Sequence, residues 1–306
     1  MKLSVILPCF NGAETIALQL EALANQQWDG DWEVIVSNNG STDDSMEIVE
    51  RYRDRLPNLR IVNAHTPPEP RLGVTHSYNV GIQAATGDAF AFCEADDEVT
   101  PGWVAAMAKA LINYDLVAGP LDYTKLNPDW LVKAFGTGIQ LKKFNVVEFI
   151  HPAPYASGCN MGMRRSTYET VGSINQAIRY VWDMEYCWRV QDAGFQLHFV
   201  PDAVAHYRLR HTLRGLFRQN RNWGEEQALL RRLNHRAIGR LAIVKDSVSV
   251  LINVLGVVTI FSKARWARWA FNTGWHVGNL RGNARHYRSD FDKTQYIVLP
   301  KGTREL

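Results

Sequence analysis

The chain has 306 residues, of which 46% are hydrophobic and 21% are charged. This composition excludes an intrinsically disordered chain, a collagen-like repeat and a small disulfide scaffold. At roughly 150 residues per domain, the length predicts one or two domains. The cysteines are widely spaced and form no CxxC pair, which argues against a zinc site and favours a reducing compartment. The N-terminal apolar run is short and contains Pro8, so we expect no secretory signal and a cytoplasmic location.

The formal net charge of +3 conceals a strong asymmetry along the chain. Residues 1–202 contain 15 Lys and Arg against 25 Asp and Glu, whereas residues 203–306 contain 19 against 6. The acidic part is suited to holding a cation, and the basic part is suited to facing phosphate, an anionic membrane or nucleic acid. The simpler alternative for the basic part is a solvated helical tail.

Short apolar runs alternate along the chain with segments of helical spacing. In chain order, the pattern predicts a strand over 3–7, a helix over 13–27, a strand over 33–37, a helix after Ser41-Thr42-Asp43, a strand over 59–62, a helix over 74–85, a strand over 88–93 and a helix after Pro101. This alternation predicts an α/β fold with a mostly parallel, Rossmann-like sheet that helices cover on both faces.

Polar clusters follow three of the predicted strands, at Pro8–Asn11, Ser37–Asp43 and Glu94–Asp97. In open α/β sheets, ligands bind beyond the carboxyl ends of the strands. The three clusters are therefore predicted to meet at one edge of the sheet and to form a ligand site. Each cluster alone is a weak signal, because loops after strands are usually polar.

The third cluster, Glu94-Ala95-Asp96-Asp97, directly follows the apolar strand AFAFC. Carboxylates at alternate positions of an extended chain point the same way. Mg²⁺ and Mn²⁺ prefer oxygen ligands and often combine one or two carboxylates with substrate phosphates. The cluster is either such a cation site or an exposed acidic turn.

The order of these segments resembles that of the family 2 glycosyltransferases. Six segments carry the resemblance, in chain order SVILPCFNGAET, WEVIVSNNGSTDDS, RLGVTHSYNVGIQAATGD, AFCEADDE, GCNMGMRRSTYETVGSIN and VWDMEYCWRVQDAGF. The resemblance covers about residues 3–225 and implies a GT-A catalytic domain over 1–225. It divides this domain into a nucleotide-sugar half, about 1–100, and an acceptor half, about 101–225. Residues 226–306 are then a helical, basic C-terminal region.

The resemblance implies an enzyme that moves a sugar from a nucleoside diphosphate donor, with a UDP-sugar as the expected donor, to a hydroxyl group with inversion. It implies Asp183 as the general base, with Glu185 as the second candidate, and Mn²⁺ or Mg²⁺ as the cation. The implied metal ligands are Asp96, Glu94 and His206. The implied donor-site residues are Pro8, Phe10, Asn11, Glu14, Asn38, Asn39, Arg71, Asn79, Glu94, Ala95 and Asp96.

Each of these roles has a structural alternative. Asp183 is also suited to the N-terminus of a helix, where the dipole favours a carboxylate. Arg71 is either a ligand of the donor or a surface arginine that follows a proline turn. His206 is either a metal ligand or a structural histidine. Arg218 and Arg221 contact either phosphate or only solvent.

The sequence departs from the family pattern at four positions. Asn38 and Asn39 stand where the family commonly has acidic residues, and an amide can both donate and accept a hydrogen bond. Glu94 replaces the first aspartate of the metal-binding motif, and Trp182 replaces the glutamate often found before the base. These changes leave the mechanism intact but weaken the inference of this chain's donor from the donors of the family.

The basic C-terminal region contains an uncharged segment over residues 247–261. Its fifteen residues fall short of the roughly 20 that a membrane-spanning helix needs. Cations flank the segment and alternate with Trp266, Trp269 and Trp275, which suits an anionic membrane surface on the cytoplasmic side. The acceptor is then a glycan or a lipid-linked envelope precursor. The alternatives are a buried helix packed on the catalytic domain and a homodimer contact.

Two other functions compete with catalysis. A non-catalytic module that binds nucleotide sugars or lipids is suggested by the altered acidic positions. A nucleic-acid binder is suggested only by the charge of the C-terminal region, and no reading motif accompanies it. We therefore expect no nucleic-acid partner.

Overall fold

The computed structural model describes residues 1–287. Its strands are β1 (Leu3–Cys9), β2 (Trp32–Asn38), β3 (Arg60–Asn63), β4 (Ala89–Phe92), β5 (Glu98–Val99), β6 (Leu116–Ala118), β7 (Leu121–Asp122), β8 (Gly138–Ile139), β9 (Asn145–Val147), β10 (His151–Tyr155), β11 (Met161–Arg164), β12 (Leu197–Phe199) and β13 (Ala205–His206). Its α-helices are α1 (Ile16–Ala24), α2 (Ser45–Glu50), α3 (Val74–Ala84), α4 (Trp103–Asn113), α5 (Asp129–Phe135), α6 (Arg165–Val171), α7 (Trp182–Asp192), α8 (Leu213–Leu233), α9 (Arg240–Leu255) and α10 (Lys263–Tyr287).

A seven-stranded sheet in the order β12-β6-β11-β4-β1-β2-β3 forms the centre of the fold. Every pairing in it is parallel except those of β11, which runs antiparallel to β4 and β6. The predicted mostly parallel α/β sheet is therefore confirmed. A four-stranded sheet, β5-β13-β7-β8, lies beyond it and brings residues that follow β13 towards the acidic cluster.

Alternate residues of the central strands enter two separate cores. Leu7 packs with α1 and α4 in one core, where Ile16 and Trp103 are fully buried. Ile6 packs in the other core, with Tyr78 of α3 and Trp188 of α7. Because strand side chains alternate between the two faces, these neighbouring positions serve opposite helical layers. The buried strands thus hold the loops at their carboxyl ends in fixed positions.

Strand β1 extends past the proline at which the sequence pattern places its end. It pairs with β4 only from Leu3 to Ile6, whereas its pairing with β2 continues to Cys9. Pro8 lies beyond the ladder shared with β4, so its missing N–H removes no bond from that pairing. The strand therefore carries Pro8 and Cys9 to the ligand edge of the sheet.

The predicted boundary between residues 225 and 226 falls inside one continuous helix, α8. Helix α10 runs parallel to α8 and approaches it through glycines that recur every fourth residue, at Gly274, Gly278 and Gly282. A Cβ on Gly278 would lie well inside van der Waals contact of the Arg221 carbonyl oxygen. This close packing attaches α10 to α8.

Helix α9 contradicts the expectation of a buried C-terminal helix, because none of its residues is buried. With the short 3₁₀ helix that follows, it forms an apolar helical segment over Arg240–Val258, with 19 residues and a mean hydropathy of 1.9. The segment is longer than the uncharged run over 247–261. By length and composition alone it could cross a membrane. The basic residues beyond 287 lie outside the described part of the chain.

Candidate active site

A cavity of about 430 Å³ lies at the carboxyl ends of β1, β2 and β4. Its walls contain residues from all three predicted polar clusters. They are Pro8, Cys9, Phe10, Asn11, Gly12, Thr15, Asn39, Arg71, Leu72, Gly73, Val74, Ser77, Glu94, Ala95, Asp96 and Arg210. The predicted meeting of the three clusters is therefore observed.

Each carboxylate of the acidic cluster has its own hydrogen-bond partner. Glu94 accepts a hydrogen bond at Oε1 from the Tyr78 hydroxyl at 2.8 Å. Asp96 accepts one at Oδ2 from Nη1 of Arg210, also at 2.8 Å. Asp97 is buried, and its Oδ1 accepts the backbone N–H of Arg208 at 2.8 Å. The cluster is thus held by α3 on one side and by the segment after β13 on the other.

Burial and repulsion from neighbouring carboxylates make Glu94 and Asp97 weaker acids than usual. Burial raises the pKa of Glu94 to about 8; the charge of Asp96 adds to this effect, and that of Asp183 adds less. Burial likewise raises the pKa of Asp97 well above its usual range. A bound cation would relieve this repulsion, because an opposite charge stabilises carboxylates. The cluster is therefore electrostatically prepared for positive charge.

Asp183 lies in the first turn of α7 and outside the lining of the cavity. Its Oδ2 accepts the backbone N–H of Gly158 at 3.1 Å, and its Oδ1 accepts that of Met184 at 2.9 Å. Burial raises its pKa to about 6, although these two hydrogen bonds oppose the shift. Glu185, the second candidate base, is paired with Arg189 at 2.7 Å. Asp183 is thus held by backbone N–H groups, whereas Glu185 is paired with the charge of an arginine.

The thiol of Cys159 shows that the acidic cluster and Asp183 belong to one region. Burial raises the pKa of Cys159, and four carboxylates raise it further, those of Asp97, Glu94, Asp183 and Asp96. The backbone N–H of the neighbouring Gly158 binds Asp183 directly. The two predicted halves of the site therefore lie close together, although Asp183 is not part of the cavity lining.

Trp182 connects these halves through direct packing. Its ring lies 5.1 Å from that of Tyr78, centroid to centroid, and Tyr78 holds Glu94. The ring also covers Gly158, where a Cβ would lie well inside van der Waals contact of it. Trp182, which departs from the family pattern, thus acts as a packing link between the base candidate and the acidic cluster.

The loop before α7 is fixed by a carboxylate that comes from α8. Glu226 accepts backbone N–H groups from Arg179, Tyr180 and Val181 at distances between 2.6 and 3.2 Å. These donors immediately precede the helix that begins at Trp182. Glu226 therefore holds the segment from which α7 begins, one residue before Asp183.

The outer wall of the cavity is formed by the loops after β1 and β3. The guanidinium of Arg71 lies 3.2 Å from the ring centroid of Phe10. Asn11 accepts the Thr42 backbone N–H at 2.8 Å and so joins the first two clusters. Asn39 donates from Nδ2 to the Leu72 carbonyl at 2.8 Å, while its buried Oδ1 has no partner among the described residues.

Three predicted donor-site residues lie outside the cavity. Asn79 is buried and pairs through both ends of its amide with the backbone of Ile174, at 2.8 and 3.0 Å. Asn38 stabilises its own turn, because its Oδ1 accepts the Ser41 N–H at 2.9 Å. Glu14 is exposed in the turn before α1. The other predicted donor-site residues line the cavity.

The predicted metal-ligand set of Asp96, Glu94 and His206 stays a prediction. Within residues 1–287, no three His, Cys, Asp or Glu side chains form a group that could hold a metal ion. His206 instead contacts Asp122, with 2.7 Å between Nδ1 and Oδ2. Glu94 and Asp96 are each engaged through one oxygen and still fit a cation that takes its remaining ligands from phosphate and water.

Four residues that shape the site were not among the sequence-based candidates, namely Tyr78, Gly158, Glu226 and Arg210. Tyr78 directly precedes Asn79, so it lies in a segment that the sequence motif identified without being a candidate itself. Gly158 and Glu226 act through backbone approach and backbone N–H groups, which leave no spacing signal. Arg210 stands in the basic run after β13, where the high arginine content hides one functional cation.

Comparison with known proteins gives the same family as the motifs. The family model described as glycosyl transferase family 2 matches residues 4–172. An uncharacterized glycosyltransferase, YibD of Escherichia coli, is 34% identical over 135 residues, which are 44% of this chain and 36% of YibD. Glycosyltransferase AglE of Haloferax volcanii is 28% identical over 206 residues, 66% of this chain and 65% of AglE. The matches thus span between about one third and two thirds of these relatives.

Solved structures support the fold over most of the chain. The mannosyltransferase PcManGT of Pyrobaculum calidifontis, solved with GDP-Man and Mn²⁺, has a TM-score of 0.60 at 18% identity and covers 91% of this chain and 86% of its own. Staphylococcus aureus TarS 1–349 with UDP has a TM-score of 0.52 at 17% identity and covers 98% and 95%. The GT-A fold is therefore confirmed. The chain belongs to glycosyl transferase family 2.

Proposed function

We propose that the protein is an inverting glycosyltransferase that moves a sugar from a nucleoside diphosphate donor to an acceptor hydroxyl, with Asp183 as the general base. One observation carries the proposal: Asp183 adjoins Trp182, whose ring lies 5.1 Å from that of Tyr78, and the Tyr78 hydroxyl donates to Glu94 of the acidic cluster at 2.8 Å. A base close to a diphosphate site matches the needs of a single displacement.

Asp183 supplies the base in this reaction. Its carboxylate takes the proton of the acceptor hydroxyl as the oxygen attacks the anomeric carbon from the face opposite the leaving group. The bond between that carbon and the diphosphate oxygen breaks, and its electron pair leaves with the diphosphate. The N–H groups of Gly158 and Met184 hold the carboxylate oriented, and a pKa of about 6 keeps it mostly ionised at neutral pH.

Residues of the cavity stabilise the departing diphosphate. Arg71 and Arg210 both line it, and a guanidinium matches phosphate oxygens well. Glu94 and Asp96 would hold Mn²⁺ or Mg²⁺, which supplies Lewis-acid stabilisation of the leaving charge when bound. Mn²⁺ is present in the solved structure of PcManGT, which supports this expectation.

The amide of Asn39 favours a donor base with a ring N–H, as in uridine. Its Nδ2 donates to the Leu72 carbonyl, and its buried Oδ1 is an acceptor without a partner among the described residues. Uracil presents an N–H at the position where cytosine presents a ring acceptor. A UDP-sugar is therefore the proposed donor, and guanine, which also carries a ring N–H, is the second choice.

The proposed acceptor is a glycan or a lipid-linked envelope precursor. One relative, TarS of Staphylococcus aureus, is named as a poly(ribitol-phosphate) β-N-acetylglucosaminyltransferase and is 36% identical over 104 residues, 32% of this chain and 17% of TarS. The exposed apolar helix α9 supports an enzyme that acts at the cytoplasmic surface of a membrane. A phosphate-bearing or lipid-linked acceptor would also complement the basic C-terminal region.

The test is a panel of nucleotide sugars with Mn²⁺, read out as diphosphate release and as the anomeric configuration of the product by NMR. The proposal expects turnover with a UDP-sugar and an inverted product. A retained configuration would contradict the single displacement. Tight binding of donors by calorimetry without turnover on any acceptor would favour the alternative, a non-catalytic nucleotide-sugar or lipid-binding module.

A further inference from the structure

Helix α9 and the 3₁₀ helix that follows it expose a row of large apolar side chains. We call it the apolar stripe; it consists of Leu241, Val244, Val248, Leu251, Ile252, Leu255 and Val258, which are between 49% and 80% exposed. Their spacing is mostly three or four residues, which places them on one face of the helix. Phe261, which is 86% exposed, follows at the end of the stripe. Contiguous apolar surface of this kind marks an interaction site.

The opposite face of α9 is fixed to α10, so the stripe cannot turn inward. Three hydrogen bonds join the two antiparallel helices along their length: Arg240 to the Tyr287 hydroxyl at 2.8 Å, Asn283 to Asp246 at 2.6 Å, and the Trp269 indole N–H to the Asn253 carbonyl at 2.7 Å. Since α10 is itself packed against α8, the stripe is presented outward by a rigid support.

Exposed cations lie on the same two helices. They are Arg240 and Lys245 on α9 and Lys263, Arg265 and Arg268 at the start of α10, where Arg268 donates to the Ala134 carbonyl and Lys263 lies over the Trp130 ring. Asp246, the acidic residue of α9, is turned toward α10, where it pairs with Asn283. Trp266 and Trp269 stack edge to face, 5.4 Å apart, near the same end. Apolar side chains with cations and tryptophans on the same two helices match the chemistry of an anionic lipid surface.

We infer that α9 lies in the plane of an anionic membrane, with the apolar stripe among the acyl chains and these cations at the headgroups. This inference rests on the proposed function: it specifies the membrane partner and names α9 as the element that binds it. A two-fold contact between copies is disfavoured, because each copy would bring the same cations to one interface. A membrane-spanning orientation of α9 is disfavoured, because α10 is attached to α9 and would enter the membrane too. The basic residues of α10 are Lys263, Arg265, Arg268, Arg281 and Arg285.

Flotation of the full-length chain with vesicles tests this inference without using catalysis. We expect the chain to float with vesicles of phosphatidylcholine and phosphatidylglycerol, and to float much less with phosphatidylcholine alone. The double variant Leu251→Ser, Leu255→Ser removes two exposed side chains and is expected to lower the vesicle partition coefficient roughly tenfold or more. The matched control is Ile112→Ser, Leu141→Ser, at positions 53% and 44% exposed but outside the stripe, and it should float like the parent chain.

Other outcomes would overturn the inference. A parent chain that stays at the bottom of the gradient contradicts it directly. If the parent chain is also a dimer by light scattering and the Leu251→Ser, Leu255→Ser variant is a monomer, the stripe is a contact between copies instead. Because turnover of a soluble acceptor analogue is measured separately, failure of flotation with normal turnover rejects the membrane surface and leaves the proposed activity intact.

Discussion

Arg210 donates a hydrogen bond from Nη1 to Oδ2 of Asp96, 2.8 Å away, and both side chains line the proposed donor cavity. A positive charge therefore already neighbours the carboxylate that is proposed to hold a divalent cation. The pair is partly exposed, with 47% of the arginine side chain and 32% of the aspartate side chain accessible. Arg210 and the cation should compete for Asp96 in the absence of the donor, and the arginine can turn to the diphosphate when the donor arrives.

Replacing Arg210 should strengthen binding of the cation alone. Arg210→Gln removes one positive charge beside Asp96, and we expect the affinity of the donor-free protein for Mn²⁺ to rise by roughly threefold to tenfold. Titration calorimetry with Mn²⁺ measures this. Arg218→Gln, an exposed arginine on α8, is the matched control. An unchanged affinity in Arg210→Gln would show that the ion pair does not oppose the cation.

The activity should fall in acid with a midpoint set by Asp183. Its pKa is raised to about 6, and only the ionised carboxylate accepts a proton. We therefore expect kcat/KM to decrease as the pH falls through about 6, about two pH units above the range of an ordinary aspartate. A profile of kcat/KM against pH at saturating Mn²⁺ measures this decrease. A midpoint near 4 would show that burial of Asp183 does not govern the reaction.

A methyl group on Gly158 should disturb the base. Gly158→Ala places a Cβ against the Trp182 ring, which must move away from Tyr78 or push the Gly158 N–H from Asp183. We expect a loss of about 1–3 kcal/mol in unfolding free energy and a larger fall in kcat than in donor affinity. Gly239→Ala, where a Cβ meets nothing within 4 Å, is the control. Unaltered kcat in Gly158→Ala would argue against this positioning role.

The attachment of the C-terminal region should depend on Gly278. Gly278→Ala directs a Cβ at the carbonyl oxygen of Arg221 and must separate α8 from α10. We expect unfolding free energy to fall by about 1–3 kcal/mol, measured by denaturant titration, with Gly239→Ala again as the reference. Equal stability of the two variants would mean that α10 is not packed on α8 as closely as described.

Periodicity was sufficient to predict the central fold. The apolar runs of β1, β2 and β4 and the helical face of α3 are local signals, and the structure contains all four elements. The limits of prediction appear at single residues. One step along a helix turns a side chain by about 100°, so the segment that contains Tyr78 and Asn79 identifies a wall of the site without saying which residue faces it.

Other features depend on contacts between distant segments. Asn39 faces the cavity while Asn38 closes its own turn, and only the Leu72 carbonyl decides how the Asn39 amide is oriented. The glycines of α10 allow close packing, which becomes evident only when α8 lies against them. His206 contacts Asp122, a residue that is remote in sequence but adjacent across the β7–β13 pairing. Each case requires tertiary packing that no local pattern contains.

The most direct measurement is the rate of nucleoside diphosphate release by Asp183→Asn, with saturating UDP-sugar, acceptor and Mn²⁺, beside Asp192→Asn from the exposed end of the same helix. The asparagine keeps the size of the side chain but cannot take up the acceptor proton. We expect a fall of about 100-fold or more for Asp183→Asn with donor affinity retained, and near-normal release for Asp192→Asn. Equal rates for both variants would contradict the assignment of Asp183 as the base.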